Sequence, residues 1–241
     1  MDYLLILLLI FFPPDEGFFT QQLKYQRVKT AFTEKEKQLS DLYKAQQLEL
    51  RNSHLFLRAF KQERKLELWA KKPGDKVYKL IKTYPVCAAS GALGPKRKQG
   101  DYQVPEGFYH IDRFNPSSAF HLSLGINYPN SSDQILGNKS ALGGDIFIHG
   151  SCASIGCLAM TDESIKEIYI AAVCAKSAGQ SKIPVHIFPF RFNDELILQS
   201  TANNPELLSF WQNLKTGYEN FEKSKTLPKV STDENGKYKF Q

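Results

Sequence analysis

The amino-acid sequence predicts a mixed α+β fold, mostly β, in which a closed or sandwiched sheet has helices at its side. Several short segments alternate apolar and polar residues with the two-residue period of a β-strand. Few helical segments separate these strands, which favours mostly antiparallel pairing. Hydrophobic residues make up 42% of the 241-residue chain and aromatic residues 12%, enough for a sizeable core.

Residues 1–20 are interpreted as a signal peptide or a hydrophobic N-terminal anchor. Residues 3–12 form an unbroken apolar run of ten, which is too short to span a bilayer but has the length of a signal-peptide core. Neither a preceding Lys or Arg nor a following small-x-small cleavage pattern supports this interpretation, so a sticky N-terminal extension is the alternative. The interpretation implies export to the periplasm or cell envelope, and weak membrane association through residues 3–12.

Residues 21–51 predict an amphipathic helical flank. The segment from Gln21 to Leu50 is polar and charged, contains no Gly or Pro, and carries spaced apolar residues. This pattern is typical of one broken helix or two helices. Packing of the flank on the main domain is favoured over contact with a partner.

Residues 52–192 predict the main domain. Alternating segments around the polar break at residues 61–64 indicate a hairpin, and a third strand follows over residues 77–88. Three glycines, a proline and three consecutive cations make residues 90–101 a loop. A helix is expected from Thr161 to Ala178, with Thr161 or Asp162 as its N-cap. Further strands are expected over residues 108–111, 120–128, 145–149 and 183–190.

Residues 193–241 predict a C-terminal helix and a tail. The helix is expected from Pro205 to Phe221, with proline in its first turn. From Lys223 the chain is polar, and we expect it to be loosely held. The net charge of +6 favours anionic partners, but the cations are spread over many segments without a dense Arg run. A nucleic-acid partner is therefore not predicted.

The stretch Ile148–Met160, IHGSCASIGCLAM, holds one histidine and two of the four cysteines. A zinc site would use His149, Cys152 and Cys157, but it lacks the second close ligand pair of a structural zinc site. A Cys152–Cys157 disulfide would leave the histidine and the glycines unexplained. In the third interpretation Cys157 is a nucleophile, His149 is its base, and Gly156 shapes a turn whose amides stabilise an oxyanion. From spacing alone, this interpretation and a structural role for His149 and Cys157 are equally supported.

A longer pattern resembles the YkuD-type L,D-transpeptidases. Their motif has His-Gly followed by Ser-x-Gly-Cys, as in His149-Gly150 and Ser154-Ile155-Gly156-Cys157. The short separation and the run CASIGCLAMTD, from Cys152 to Asp162, are similar to the YafK branch in particular. The resemblance covers roughly residues 53–190. It also includes Lys82–Pro85, Ser90-Gly91, Leu93–Lys96, Gly100-Asp101, Pro105–Tyr109, His121–Ser123 and Tyr128–Asn130.

The resemblance implies a β-sandwich or barrel-like sheet with the cysteine at the rim of a cleft, and cysteine chemistry on peptidoglycan stem peptides. Cys157 would attack the carbonyl of an L-centred diamino acid and form an acyl-enzyme, with His149 as proton acceptor and donor. The backbone carbonyl of Gly150 would orient His149, and the amides of Gly156 and Cys157 would form the oxyanion hole. Ser154 would order the loop. No metal or organic cofactor is implied.

Two departures from the family pattern concern substrate binding. Many relatives carry His after the Ser and Arg two places after the Cys, where this chain has Ile155 and Ala159. A methyl group cannot replace an Arg that binds a carboxylate. Lys96 and Arg97 would compensate as substrate-binding cations, with a solvated loop as the alternative. His121 is a further candidate for the cleft wall, with an ordinary structural role as the alternative.

Several functions remain open at this point. Enzymes that resemble the YafK branch include amidases that release a protein linked to peptidoglycan, so hydrolysis is an alternative to transpeptidation. A non-catalytic wall-binding module and a metal-binding regulator are the remaining interpretations. Cys152 is interpreted either as loop packing or as a redox partner that silences Cys157 through a disulfide.

Overall fold

The computed structural model describes residues 16–241. Its helices are α1 Glu16–Leu23, α2 Gln26–Ala45, α3 Ser131–Leu136, α4 Asp162–Ser177, α5 Asp194–Thr201 and α6 Pro205–Ser224. Its strands are β1 His54–Phe60, β2 Lys65–Lys71, β3 Lys79–Pro85, β4 Gly107–Asn115, β5 Ser123–Ile126, β6 Phe147–His149, β7 Leu158–Ala159, β8 Ile183–Phe188, β9 Val230–Thr232 and β10 Tyr238–Phe240. None of the described helices is long and apolar enough to cross a membrane. The apolar run at residues 3–12 lies outside the described residues.

One large sheet organises the described part of the chain. Its strand order is β3-β2-β1-β8-β4-β5-β6-β7, in which the β1–β8 and β6–β7 pairs are parallel and the other neighbours are antiparallel. The two ends of this order meet, because Ala88, just beyond β3, forms an antiparallel bridge with Ala159 of β7. The sheet is therefore curled and barrel-like. The predicted mixed α+β class with flanking helices is confirmed.

The predicted helical flank packs on one face of the sheet. Leu55, Leu57 and Ala59 of β1 point into the core that α1, α2 and α4 cover. Helix α4 is apolar on most sides because it lies between the sheet and the two N-terminal helices. Residues 16–20 belong to α1, with Phe18 and Phe19 packed against this core. The helical flank thus begins within the segment that was interpreted as signal peptide or anchor.

The C-terminal region covers the opposite face of β1, which carries Phe56, Arg58 and Phe60. Arg58 is buried, bonds to Glu67 at 2.8 Å and forms an ion pair with Glu222 of α6. After α6, β9 and β10 pair as a hairpin whose Tyr238 is buried in the same core. The prediction of a loosely held tail is therefore wrong.

The polar composition of the tail led to the wrong prediction, because a few apolar side chains are enough to fix the tail against the core. Val230, Tyr238 and Phe240 pack against the core between the sheet and α6. Asn213 of α6 also exchanges two hydrogen bonds with the backbone of Tyr238, at 2.8 and 2.9 Å. Glu234, Lys237 and Lys239, which lie between them, are exposed to solvent.

Two predicted strands are shorter than expected because single residues adopt left-handed backbone conformations. His121 has φ 67°, so the strand predicted over residues 120–128 starts only at Ser123. Asp145 has φ 56°, so the next strand starts at Phe147. The left-handed conformation at these non-glycine residues interrupts the regular extended backbone of a strand. Asp145 precedes β6, which ends at His149, and His121 precedes β5, whose Ser123 pairs with His149.

Candidate active site

The sheet register brings the predicted nucleophile and base to the same face. β6 and β7 are parallel neighbours in which Ile148 pairs with Leu158 and His149 with Ala159. Cys157 therefore lies beside Phe147, and the Phe147 N–H donates to Cys157 Sγ at 3.4 Å. Since alternate residues of a strand share a face, the side chains of His149 and Cys157 project on the same side, two residues apart in register.

The chain leaves β6 through a tight turn that needs glycine. A Cβ at Gly150 would lie 2.5 Å from Asp162 Oδ1 and 3.0 Å from the Phe120 carbonyl. Asp162 is the first residue of α4, and its Oδ1 accepts a hydrogen bond from the Ser151 N–H at 2.8 Å. The turn is thus packed against the start of α4.

A disulfide joins Cys152 to Cys87, 65 residues earlier in the chain. Cys87 reaches this place because the chain beyond β3 runs alongside β7, where the Cys87 N–H donates to the Ala159 carbonyl at 2.9 Å. Cys157 is a free thiol. The alternative of a Cys152–Cys157 bridge is therefore wrong, and Cys152 is not available to silence Cys157 or to bind zinc. The pairing escaped sequence reasoning because only the closure of the sheet brings the two segments together.

His149 is buried and oriented by the backbone. Its Nδ1 lies 2.6 Å from the carbonyl oxygen of Gly150. Because a carbonyl only accepts, Nδ1 carries the proton in this bond and Nε2 keeps its lone pair. Burial lowers the pKa of His149, and the Gly150 carbonyl opposes this shift in part. The imidazole is therefore neutral at pH 7 and has a free nitrogen that can accept a proton.

The Cys157 thiol is also neutral at rest. Burial raises its pKa above the ordinary value, and the negative charge of Asp145 adds to this shift. The Phe147 N–H and the positive charge of Lys96 oppose the shift in part. A neutral thiol and a neutral imidazole on the same face are the starting state of general-base catalysis, in which the proton leaves sulfur as the nucleophile attacks.

Two serine hydroxyls hold the backbone that precedes the thiol. Ser154 Oγ accepts the Cys157 N–H at 3.0 Å and donates to the Cys157 carbonyl at 2.7 Å. Ser90 Oγ accepts the Gly156 N–H at 2.6 Å and donates to the Tyr102 carbonyl at 2.8 Å. The structure thus places Ser154 where it orders the loop. It also differs from the expectation of open oxyanion-hole amides, because both N–H groups are bonded to serine oxygens in this conformation.

Ser90 is a site residue that the sequence reasoning missed. Only its place in the Ser90-Gly91 segment of the family-like pattern signalled it, and that pattern assigns no contact. Gly156 has φ 98°, and a Cβ there would lie 3.1 Å from the Gln103 carbonyl. The loop of residues 90–103 therefore packs directly against the backbone that carries the nucleophile.

The three predicted substrate-binding residues have different surroundings. Lys96 is buried and bonds to Asp101 at 2.6 Å, so its charge acts on Cys157 without being open to a ligand. Arg97 lies 3.4 Å from Asp133, with its guanidinium 4.7 Å from the ring centre of Phe210. It lines a groove that is described below.

His121 lies behind the turn that follows β6. A Cβ at Gly150 would be 3.1 Å from His121 Cβ, and the charges that act on its imidazole include Asp162, Lys166 and Arg27. Burial lowers its pKa, and its Nε2 is buried without a hydrogen bond among the described residues. These surroundings support the structural role that was the alternative to a place on the cleft wall.

The two departures from the family motif place apolar side chains at positions 155 and 159. Ile155 is 74% exposed at the tip of the loop, whereas Ala159 is fully buried between β6 and the chain at Ala88. Neither position supplies a cation that could bind a carboxylate.

Comparison with known proteins supports the relationship over most of the chain. Residues 60–187 match the YkuD model, which describes an L,D-transpeptidase catalytic domain. The chain is 39% identical over 202 residues to the Escherichia coli K12 protein named "Putative L,D-transpeptidase YafK", covering 83% of this chain and 78% of that protein. The protein of the same name from Escherichia coli O157:H7 matches equally.

Solved structures match at lower similarity. The helical cell shape determining protein Pgp2 from Campylobacter jejuni is 18% identical, with a TM-score of 0.46 over 76% of this chain and 73% of that chain. L,D-transpeptidase 1 from Mycobacterium tuberculosis is 14% identical, with a TM-score of 0.31 over 56% of this chain and 62% of that chain. The family match and the YafK identity carry the assignment. The chain belongs to the YkuD family of L,D-transpeptidase catalytic domains.

Proposed function

We propose that this protein is a cysteine-dependent L,D-transpeptidase-family enzyme that acts on peptidoglycan stem peptides through an acyl-enzyme on Cys157. The observation that carries the proposal is the neutral Cys157 thiol on the same face as a neutral His149. The Gly150 carbonyl holds His149 at Nδ1, which leaves Nε2 to accept the thiol proton. Family membership supports the choice of peptidoglycan as substrate.

The proposed acylation proceeds in two steps. Cys157 Sγ attacks the carbonyl carbon of the L-centred diamino acid while its proton passes to His149 Nε2. The tetrahedral intermediate then breaks its carbon–nitrogen bond, and His149 returns the proton to the leaving amine. The Phe147 N–H, which donates to Sγ, favours the negative charge that develops on sulfur during attack.

Oxyanion stabilisation in this proposal involves the serines. The Gly156 and Cys157 amides can serve an oxyanion only if Ser90 and Ser154 release them as substrate binds. The loss of the two serine hydrogen bonds offsets part of the stabilisation that the amides give to an oxyanion. The transition state carries the fuller negative charge, so only its free energy is lowered when the amides bond to the oxyanion instead of the serines.

The experiment that tests the function is intact-mass spectrometry after incubation with a carbapenem or with purified muropeptides. We expect a single covalent adduct on Cys157 that is absent in Cys157→Ala and retained in Cys174→Ala, since Cys174 is the other free cysteine and is buried. Full muropeptide activity in Cys157→Ala would refute the proposal. An unmodified but sacculus-binding protein would instead favour a non-catalytic wall-binding module.

Transpeptidation and hydrolysis share this acyl-enzyme, and the second reaction is the alternative function. Its support is the absence of polar side chains at Ile155 and Ala159, where many relatives carry groups that bind substrate. Digestion of sacculi followed by muropeptide analysis distinguishes the two. New cross-links between diamino acids indicate a transpeptidase, whereas release of an attached peptide or protein indicates an amidase.

An exported, cell-envelope location is part of the proposal. The Cys87–Cys152 disulfide supports it, because disulfides persist in oxidising compartments and are rare in the cytosol. Fractionation of cells and thiol labelling of the extracted protein test this. A cytosolic protein with Cys87 and Cys152 both reduced would contradict the location.

A further inference from the structure

A groove of about 780 Å³ lies beside the catalytic loop. The loop around residues 93–103 forms one wall, the first turns of α6 form the second, and the turn of the β9–β10 hairpin forms the third. The family model ends at residue 187, so two of the three walls lie outside the matched domain. The groove thus combines a loop of the catalytic domain with the C-terminal region of this chain.

The groove borders the loop of residues 90–103, which packs against the backbone before Cys157. Gln103 lines the groove, and its carbonyl oxygen would lie 3.1 Å from a Cβ at Gly156. Arg97 also lines the groove, while the charge of its neighbour Lys96 acts on Cys157. A single short loop therefore has one side against the nucleophile and the other side in the groove.

The lining of the groove combines apolar surface with two cations. Leu93, Leu207 and Phe210 supply apolar side chains. Arg97 has one long ion-pair contact, to Asp133 at 3.4 Å, and the remaining N–H groups of its guanidinium have no hydrogen bond within residues 16–241. Lys237 is exposed at the hairpin turn, and its ammonium forms no ion pair in the described structure.

We propose that this groove binds an acidic stem peptide, with its free carboxylates on Arg97 and Lys237 and its aliphatic parts on the apolar wall. The proposal rests on the proposed function and names where its substrate lies. Charge complementarity supports a peptide carboxylate over a neutral glycan, because Lys237 has no ion pair in the described structure and Arg97 has one long ion pair, to Asp133. In this proposal, Arg97 and Lys237 supply the carboxylate-binding cations that position 159 does not supply in this chain.

The test measures peptide binding separately from catalysis. Calorimetry on the full chain carrying Cys157→Ala gives the Kd of a stem tetrapeptide with free carboxylates, and of the same peptide with its carboxylates amidated. Lys237→Gln should raise the Kd of the free-acid peptide about two- to fivefold, the effect of one exposed charge pair. Glu206→Gln removes the negative charge that lines the same groove and should lower this Kd by a similar factor.

Both substituted side chains are exposed, so neither change threatens the fold. Lys229→Gln, on the same hairpin but outside the groove, is the matched control and should leave the Kd unchanged. The amidated peptide should bind weakly and respond to none of the three variants. An unchanged Kd in both Lys237→Gln and Glu206→Gln, or equal shifts with the amidated peptide, would overturn the proposal. Acylation of the unmodified chain, measured in parallel, tests the proposed function independently.

Discussion

Removal of the Cys87–Cys152 disulfide should destabilise the protein strongly. The bond joins the chain beyond β3 to the turn between His149 and Cys157, at a sequence separation of 65 residues. In the chain-entropy relation, a cross-link that closes a loop of this length contributes about 4 kcal/mol at 25 °C, because it restricts the unfolded chain. For a domain of this size, the same change lowers Tm by roughly 8–16 °C.

The perturbation is the double variant Cys87→Ala and Cys152→Ala, which leaves no unpaired thiol at the site. Urea denaturation followed by circular dichroism gives the midpoint and the slope m. The control is Cys174→Ala, a buried cysteine outside the disulfide, for which we expect a cost of roughly 1 kcal/mol.

A double variant that loses no more free energy of unfolding than Cys174→Ala would refute the reasoning. It would mean that the barrel closure at Ala88 and Ala159, with the backbone bond from Cys87 to Ala159, already restricts the loop. A change in m without a change in midpoint would also count against it, since that outcome reports a different unfolded or native compactness.

Further predictions concern the site itself. The rate of Cys157 alkylation by iodoacetamide should rise with pH around a midpoint above 9.0, because burial raises the pKa of the thiol. A midpoint below that value would contradict a neutral thiol in the resting protein. The rate of acylation by a carbapenem should fall only when the pH is lowered below 6.5. Burial lowers the pKa of His149, and the protonated ring cannot accept the thiol proton. A loss of rate above pH 6.5 would contradict this. Arg27→Met removes the hydrogen bonds from α2 to the Ser118 and His121 carbonyls. Pre-steady-state kinetics should show acylation slowed roughly three- to tenfold, with little change in substrate affinity. Unchanged rates would mean that the helical flank does not position the turn after β6. Gly150→Ala should cost about 1–3 kcal/mol in urea denaturation because its methyl group meets Asp162, and a neutral effect would show that the turn can relax.

The sequence predicted most elements because their patterns are local. The β1–β2 hairpin, the capped helix α4 and the helix that begins at Pro205 follow directly from apolar periodicity, turn residues and capping chemistry. Thr161 caps α4 as expected, with its hydroxyl accepting the Ser164 N–H at 3.1 Å. Strand ends were less predictable, since His121 and Asp145 adopt positive φ without being glycine.

The candidate site was predictable only in part. His149, Gly150, Ser154 and Cys157 were visible as a spaced motif, and the structure brings them together on β6, the turn and the start of β7. The contact of Ser90 with the Gly156 amide was not visible, because the two residues are 66 positions apart and only the fold joins them.

The sequence by itself determined the family and the class of fold, and it singled out His149 and Cys157 as the candidate reactive pair, because motifs and periodicity depend on residue types at short spacing. The tertiary structure decided which cysteine pairs with which, what holds the amides beside Cys157, and how the C-terminal hairpin closes a cationic groove beside the site. Each of these depends on contacts between segments far apart in the chain. Such contacts follow from the closure of the sheet and the packing of α6 on it, which no local pattern of residues encodes.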